Sequence, residues 1–158
     1  MNAKMPELKQ CFESAGFSDV RTLLSSGNVA FTARASSLKF LELQAEKAMH
    51  FQLGRSFGTT VRTTQSLQDL LLSDPFAKFN LPPTAKRMVT FLRHPSKASV
   101  KFPIERDGAS ILELAAAEVL SAYVPSANGP VFMSLLERTF GKDITTRTLE
   151  TVKKCAQA

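Results

Sequence analysis

The chain has 158 residues, of which 44% are apolar and 22% charged, and it carries a net charge of +6. The length suits one domain or two small packed subdomains, and the apolar share is enough for a real core, which excludes a disordered chain. No apolar run approaches the length needed to cross a bilayer, and the opening Met1-Asn2-Ala3-Lys4 lacks the apolar stretch of a signal peptide, so a cytoplasmic protein with no membrane partner is expected.

Pro6 suits the first position of a helix, Glu7 complements its positive end, and Leu8, Cys11, Phe12 and Ala15 follow helical spacing until Gly16 ends it. A strand from Val20, a tight turn at Ser26-Gly27-Asn28 and a returning strand to Phe31 follow, as a hairpin docked against that helix. Ser36 or Ser37 can cap a second helix, in which Leu38, Leu41, Ala45, Ala48 and Met49 form one apolar stripe and the other face is charged. Gly54 and Gly58 bracket a loop, 59–63 reads as a strand, and Leu67, Leu70 and Leu71 mark a third helix closing at Asp74-Pro75.

The consecutive prolines Pro82-Pro83 oppose both helix and sheet, and the run 79–84 is the best internal boundary. Beyond it the sequence predicts a strand at 88–92, a short helical segment after Pro95, and a helix at 131–140 with Phe132, Leu135, Leu136 and Phe140 inward. Gly141 stops that helix, and a last helix runs from 148 to about 156. The stretch 111–120 is ambiguous, since its alanine and leucine content favours helix while 119–124 alternates as a strand does.

Four segments in this order and spacing carry a family resemblance: the run 16–31, the Asp74-Pro75-Phe76 corner, the strand Met88-Val89-Thr90-Phe91-Leu92, and Thr145-Thr146-Arg147 with Thr151-Val152. On these, from about Met5 to Cys155, the chain resembles the domain of unknown function 1697 family, bacterial proteins with no established activity. The family usually opens with an apolar strand leading into a Leu-Arg-Gly-Ile-Asn-Val-Gly-Gly type loop, and this chain starts after it. Where the family tends to have Asn-Trp-Asn after the arginine, Thr148-Leu149-Glu150 stands here. The resemblance implies paired strands over 111–124, and we read a hairpin there. It also implies an α+β protein of two packed ferredoxin-like (split βαβ) halves with antiparallel sheets, 1–80 and 81–158, the first lacking its opening strand. Such a gap invites a strand from a second copy, so a homo-oligomer through the incomplete first sheet is the expected assembly.

Recognised catalytic fingerprints are missing. Residues 54–60 lack the lysine and spacing of a phosphate-binding loop, and no G-x-S-x-G, C-x-x-C or H-E-x-x-H occurs. Cys11 and Cys155 lie far apart with no ligand-spaced partner, and His50 and His94 have no acidic or cysteine neighbour in sequence, so no metal and no cofactor are expected. Between Pro82 and Arg106 six basic residues, Lys86, Arg87, Arg93, Lys97, Lys101 and Arg106, face one acid, Glu105. A solvated basic face explains this better than phosphate tracking, and the aromatic signature of RNA-recognition sheets is absent, so nucleic acid is disfavoured as a partner.

Two polar candidates remain. Ser26, Gly27 and Asn28 place a hydroxyl, a flexible glycine and an amide at a hairpin tip, with ordinary turn chemistry as the plain alternative. Thr145, Thr146 and Arg147 place two hydroxyls and a guanidinium at the expected start of the last helix, where free N–H groups favour anions; the plain alternative is a threonine cap beside a surface arginine. The best reading is a binding domain for a small anionic or phosphate-bearing ligand, leaning away from an enzyme. The alternatives are an enzyme whose catalytic set one sequence does not reveal and a non-specific nucleic-acid binder.

Overall fold

The structure is a computed structural model and describes residues 3–24, 27–55, 57–94, 96, 100–115, 117–125 and 131–158. It is an α+β protein with antiparallel sheets, as the sequence implies. Its contacts divide it into two compact units, 1–67 with 154–158, and 68–153. The proline boundary near residue 82 lies inside the second of these.

In the first unit, helix α1 (Met5–Ser14) carries Pro6 in its first turn and buries Leu8, Cys11 and Phe12. Gly16, at φ +98°, turns the chain into the hairpin of β1 (Ser18–Leu23) and β2 (Asn28–Thr32). The rings of Phe12, Phe17 and Phe31 meet with centroids 4.4 to 5.7 Å apart, which fastens the hairpin to the helix. Helix α2 (Leu38–Leu53) starts on Ser37, whose side chain accepts the Phe40 N–H at 3.1 Å, and ends at Gly54 in the left-handed conformation. It buries Leu41, Ala45 and Met49 in the same core.

The strand expected over 59–63 does not form. Residues 57–63 carry no regular structure, although Val61 is buried. The Val61 N–H donates at 2.8 Å to a carboxylate oxygen of Glu42, itself buried, so a side chain does what a neighbouring strand would otherwise do. Helix α3 (Thr64–Leu72) forms as expected and buries none of its residues.

The second unit is built on β3 (Lys86–Leu92), β4 (Ile104–Arg106), β5 (Ala109–Ala115), β6 (Glu118–Tyr123) and β7 (Ile144–Thr148), in the spatial order β4-β5-β6-β3-β7. The hairpin over 111–124 is present as β5 and β6, with a bulge between Ile111 and Glu113. Helix α4 (Val131–Phe140) covers one sheet face, packing Phe132, Leu135 and Leu136 against Met88, Leu92, Ile111 and Val119. Most of the short helical segment expected after Pro95 falls outside the described residues. Helix α5 (Leu149–Ala156) closes the chain. Among the described residues no helix is long and apolar enough to cross a membrane.

Candidate functional site

Thr145, Thr146 and Arg147 do not stand at a helix start. They lie on β7, paired antiparallel with β3 so that Phe91 faces Thr145, Thr90 faces Thr146 and Val89 faces Arg147. The β-branched run Ile144-Thr145-Thr146 favours a strand, and the cap belongs one residue later, where the Thr148 Oγ1 accepts the Thr151 N–H at 3.2 Å. Strand alternation then divides the trio between two faces. The Thr146 hydroxyl shares a 2.8 Å hydrogen bond with that of Thr90, which is fully buried. Thr145 and Arg147 point to the opposite face.

On that opposite face the register adds a residue that the sequence reading placed only within a basic stretch. Arg87 precedes Val89 by two, so Arg87 and Arg147 are diagonal neighbours across β3 and β7, at the roughly 7–8 Å spacing that long side chains bridge. Both are half-buried, and Arg147 donates through Nη1 to the Thr146 carbonyl at 2.9 Å. Arg87 has no hydrogen-bond or ion-pair partner among the described residues. In the row that starts at Arg87, Ala122 and then Ser110 follow on β6 and β5, and the Ser110 Oγ is buried with no hydrogen-bond partner among those residues. Glu113, in the Arg147 row, is engaged by Lys78 at 2.6 Å. The alternation of Arg87, Val89 and Phe91 was visible in the sequence; what was not visible was which strand lay beside it.

At the hairpin tip, Ser26 lies outside the described residues, and Gly27 adopts φ +88°. Asn28 is buried and donates through Nδ2 to the Leu23 carbonyl at 3.1 Å. That bond closes a turn in which Leu24 is itself left-handed, at φ +60°.

The basic stretch is dispersed. Lys86 and Arg87 are successive strand residues and point to opposite faces, Arg93 and His94 reach Asp143 at 3.8 and 3.4 Å, and Lys97 lies outside the described residues. Cys11 is buried, and its thiol is raised above the usual value of 9.0 by that burial, with the Glu7 carboxylate adding to the effect. A cleft of about 350 Å³ opens near it, lined by Glu7, Gln10, Gln52, Leu53 and Arg55. No group of three His, Cys, Asp or Glu residues among those described is arranged to hold a metal ion.

A family model described as "Protein of unknown function (DUF1697)" matches residues 1–116. No curated protein matches the chain. Among solved structures it is similar to that of a conserved bacterial protein from Streptococcus pneumoniae, with 19% identity and a TM-score of 0.68 over 99% of this chain and 88% of that one. At this identity the likeness speaks for the fold alone.

Proposed function

The chain belongs to the DUF1697 family of proteins of unknown function, and within it we propose that this member is a binding domain for a small anionic or phosphate-bearing ligand, with the Arg87 and Arg147 face as its site. The observation that carries this reading is the pairing of two half-buried guanidiniums on one sheet face. A bound anion there would accept charge-assisted hydrogen bonds from both side chains. Guanidinium forks match phosphate and carboxylate oxygens in geometry as well as charge. The buried Ser110 hydroxyl, two strands from Arg87, offers a further donor on the same face. Thr145 and Arg147 contribute to this site from β7. Thr146 supports it from behind, through Thr90.

A thermal-shift titration with inorganic phosphate tests the proposal. Phosphate raises the Tm of the wild type, and Arg87→Ala and Arg147→Ala each lose most of that rise, because a ligand stabilises only the state that binds it. Thr146→Val keeps the rise. Equal stabilisation of the wild type and both arginine variants would overturn the site.

A further inference from the structure

Helix α2 has an outward ridge that the core does not use. Phe51 is 87% exposed, Phe40 57% and Leu43 51%, and none of the exposed residues on this helix is acidic. Its two glutamates are withdrawn: Glu42 is buried against the Val61 N–H and Glu46 is half-buried. At about 100° per residue, Phe40, Lys47 and Phe51 fall within roughly 40° of one another, and the two rings stand about 16 Å apart along the axis with the lysine between them. Lys39 flanks the ridge at its start. Past its end, Gly54 turns the chain so that Arg55 lies over the Phe57 ring at 5.8 Å from its centroid.

The pattern selects among the surfaces that could cover such a ridge. A second copy packed antiparallel by two-fold symmetry would set Lys47 near its own counterpart, with no exposed acid on either helix to offset it. A helix lying in a lipid interface needs a broad continuous apolar face, whereas here a cation interrupts the two aromatics. Rings alternating with cations are what a single nucleic-acid strand requires, since bases stack on the rings and the phosphates between them meet the cations. We infer that the outward ridge of α2 binds single-stranded nucleic acid without sequence preference, with bases stacked on Phe40 and Phe51 and phosphates held by Lys39 and Lys47. This ridge belongs to the first unit, whereas Arg87, Arg147 and the basic stretch between Pro82 and Arg106 belong to the second.

Fluorescence anisotropy of the full chain with labelled oligothymidylate and oligouridylate tests the inference. Both bind at about 50 mM salt and weaken steeply toward about 200 mM. Phe51→Ala lowers affinity about five-fold or more while leaving the salt slope unchanged, and because the ring is exposed the variant keeps the wild-type fold. Lys47→Ala flattens the slope by about 0.7, the loss of one phosphate contact. Arg87→Ala leaves oligonucleotide affinity intact, so failure here and failure of the phosphate site are told apart. Absence of binding at low salt, or equal affinity of the wild type and Phe51→Ala, overturns the inference. Retention on phosphatidylglycerol vesicles, or a Phe51-dependent dimer in light scattering, without oligonucleotide binding would overturn it in favour of a lipid surface or a second copy.

Discussion

In the second unit, β3 has a strand on each side and both of its faces are buried; in the first, β1 and β2 pair only with each other among the described residues. The units use the same kinds of element and are held together differently. The five-stranded sheet supplies its own backbone partners and needs α4 for one face. The two-stranded ribbon is too small to be stable by itself and relies on the Phe12, Phe17 and Phe31 cluster, and elsewhere in this unit the buried Val61 N–H is satisfied by the Glu42 side chain instead of by a neighbouring strand. Apolar truncation should therefore hurt most in the second unit, and loss of one polar side chain should hurt most in the first.

The largest expected effect is that of Leu136→Ala. This side chain is fully buried between α4 and the sheet, and its truncation costs about 2–5 kcal/mol. Chemical denaturation followed by circular dichroism measures the loss; a cost below about 1 kcal/mol would break the account of the second unit. Next comes Glu42→Ala, which leaves the buried Val61 N–H without its acceptor at a cost of about 1–3 kcal/mol. Hydrogen exchange at the Val61 amide reads it directly, and unchanged protection there would remove the polar clamp from the picture of the first unit. The smallest effect is the coupling of Thr90 and Thr146. A double-mutant cycle with Thr90→Val and Thr146→Val should return about 0.5–1.5 kcal/mol, and zero coupling would free the Thr146 hydroxyl from the structural role given to it.

Where the sequence was legible, local rules and the fold agreed. Pro6 and Gly16 bound α1 much as their backbone preferences dictate, and Ser37 and Gly54 do the same for α2. Illegibility arose where a partner distant in sequence decided the outcome. Residues 59–63 look like a strand in isolation, but the Val61 N–H is taken by Glu42 nineteen residues away. Ile144–Thr148 is rich in β-branched residues, yet the helix that follows drew its threonines into a capping role that only Thr148 performs. The ambiguity of 111–120 came from its alanine and leucine content, and the bulge after Ile111 reinforces it. The bulge puts Ile111 and Leu114 on one sheet face at a spacing of three, which in a bare sequence imitates a helix turn. The candidate site was half legible for the same kind of reason: Arg147 was visible in a motif, whereas its companionship with Arg87 depends on strand register. The outward face of α2 was expected to be merely charged, because the apolar stripe marks the buried side of the helix and Phe40 and Phe51 lie off it.

Two bonds made by α2 reach further than the contacts they form. Gln44 donates to the Ala15 carbonyl at 2.6 Å, while Glu42 accepts the Val61 N–H at 2.8 Å. Two residues apart on a helix, these side chains leave it on nearly opposite flanks. They act as stays on a mast: a roll of the helix about its own axis by even one residue would break both at once. The azimuth of Phe40, Lys47 and Phe51 is thereby set before any partner arrives, and an encounter with that ridge starts from a surface whose ordering entropy has already been spent in folding.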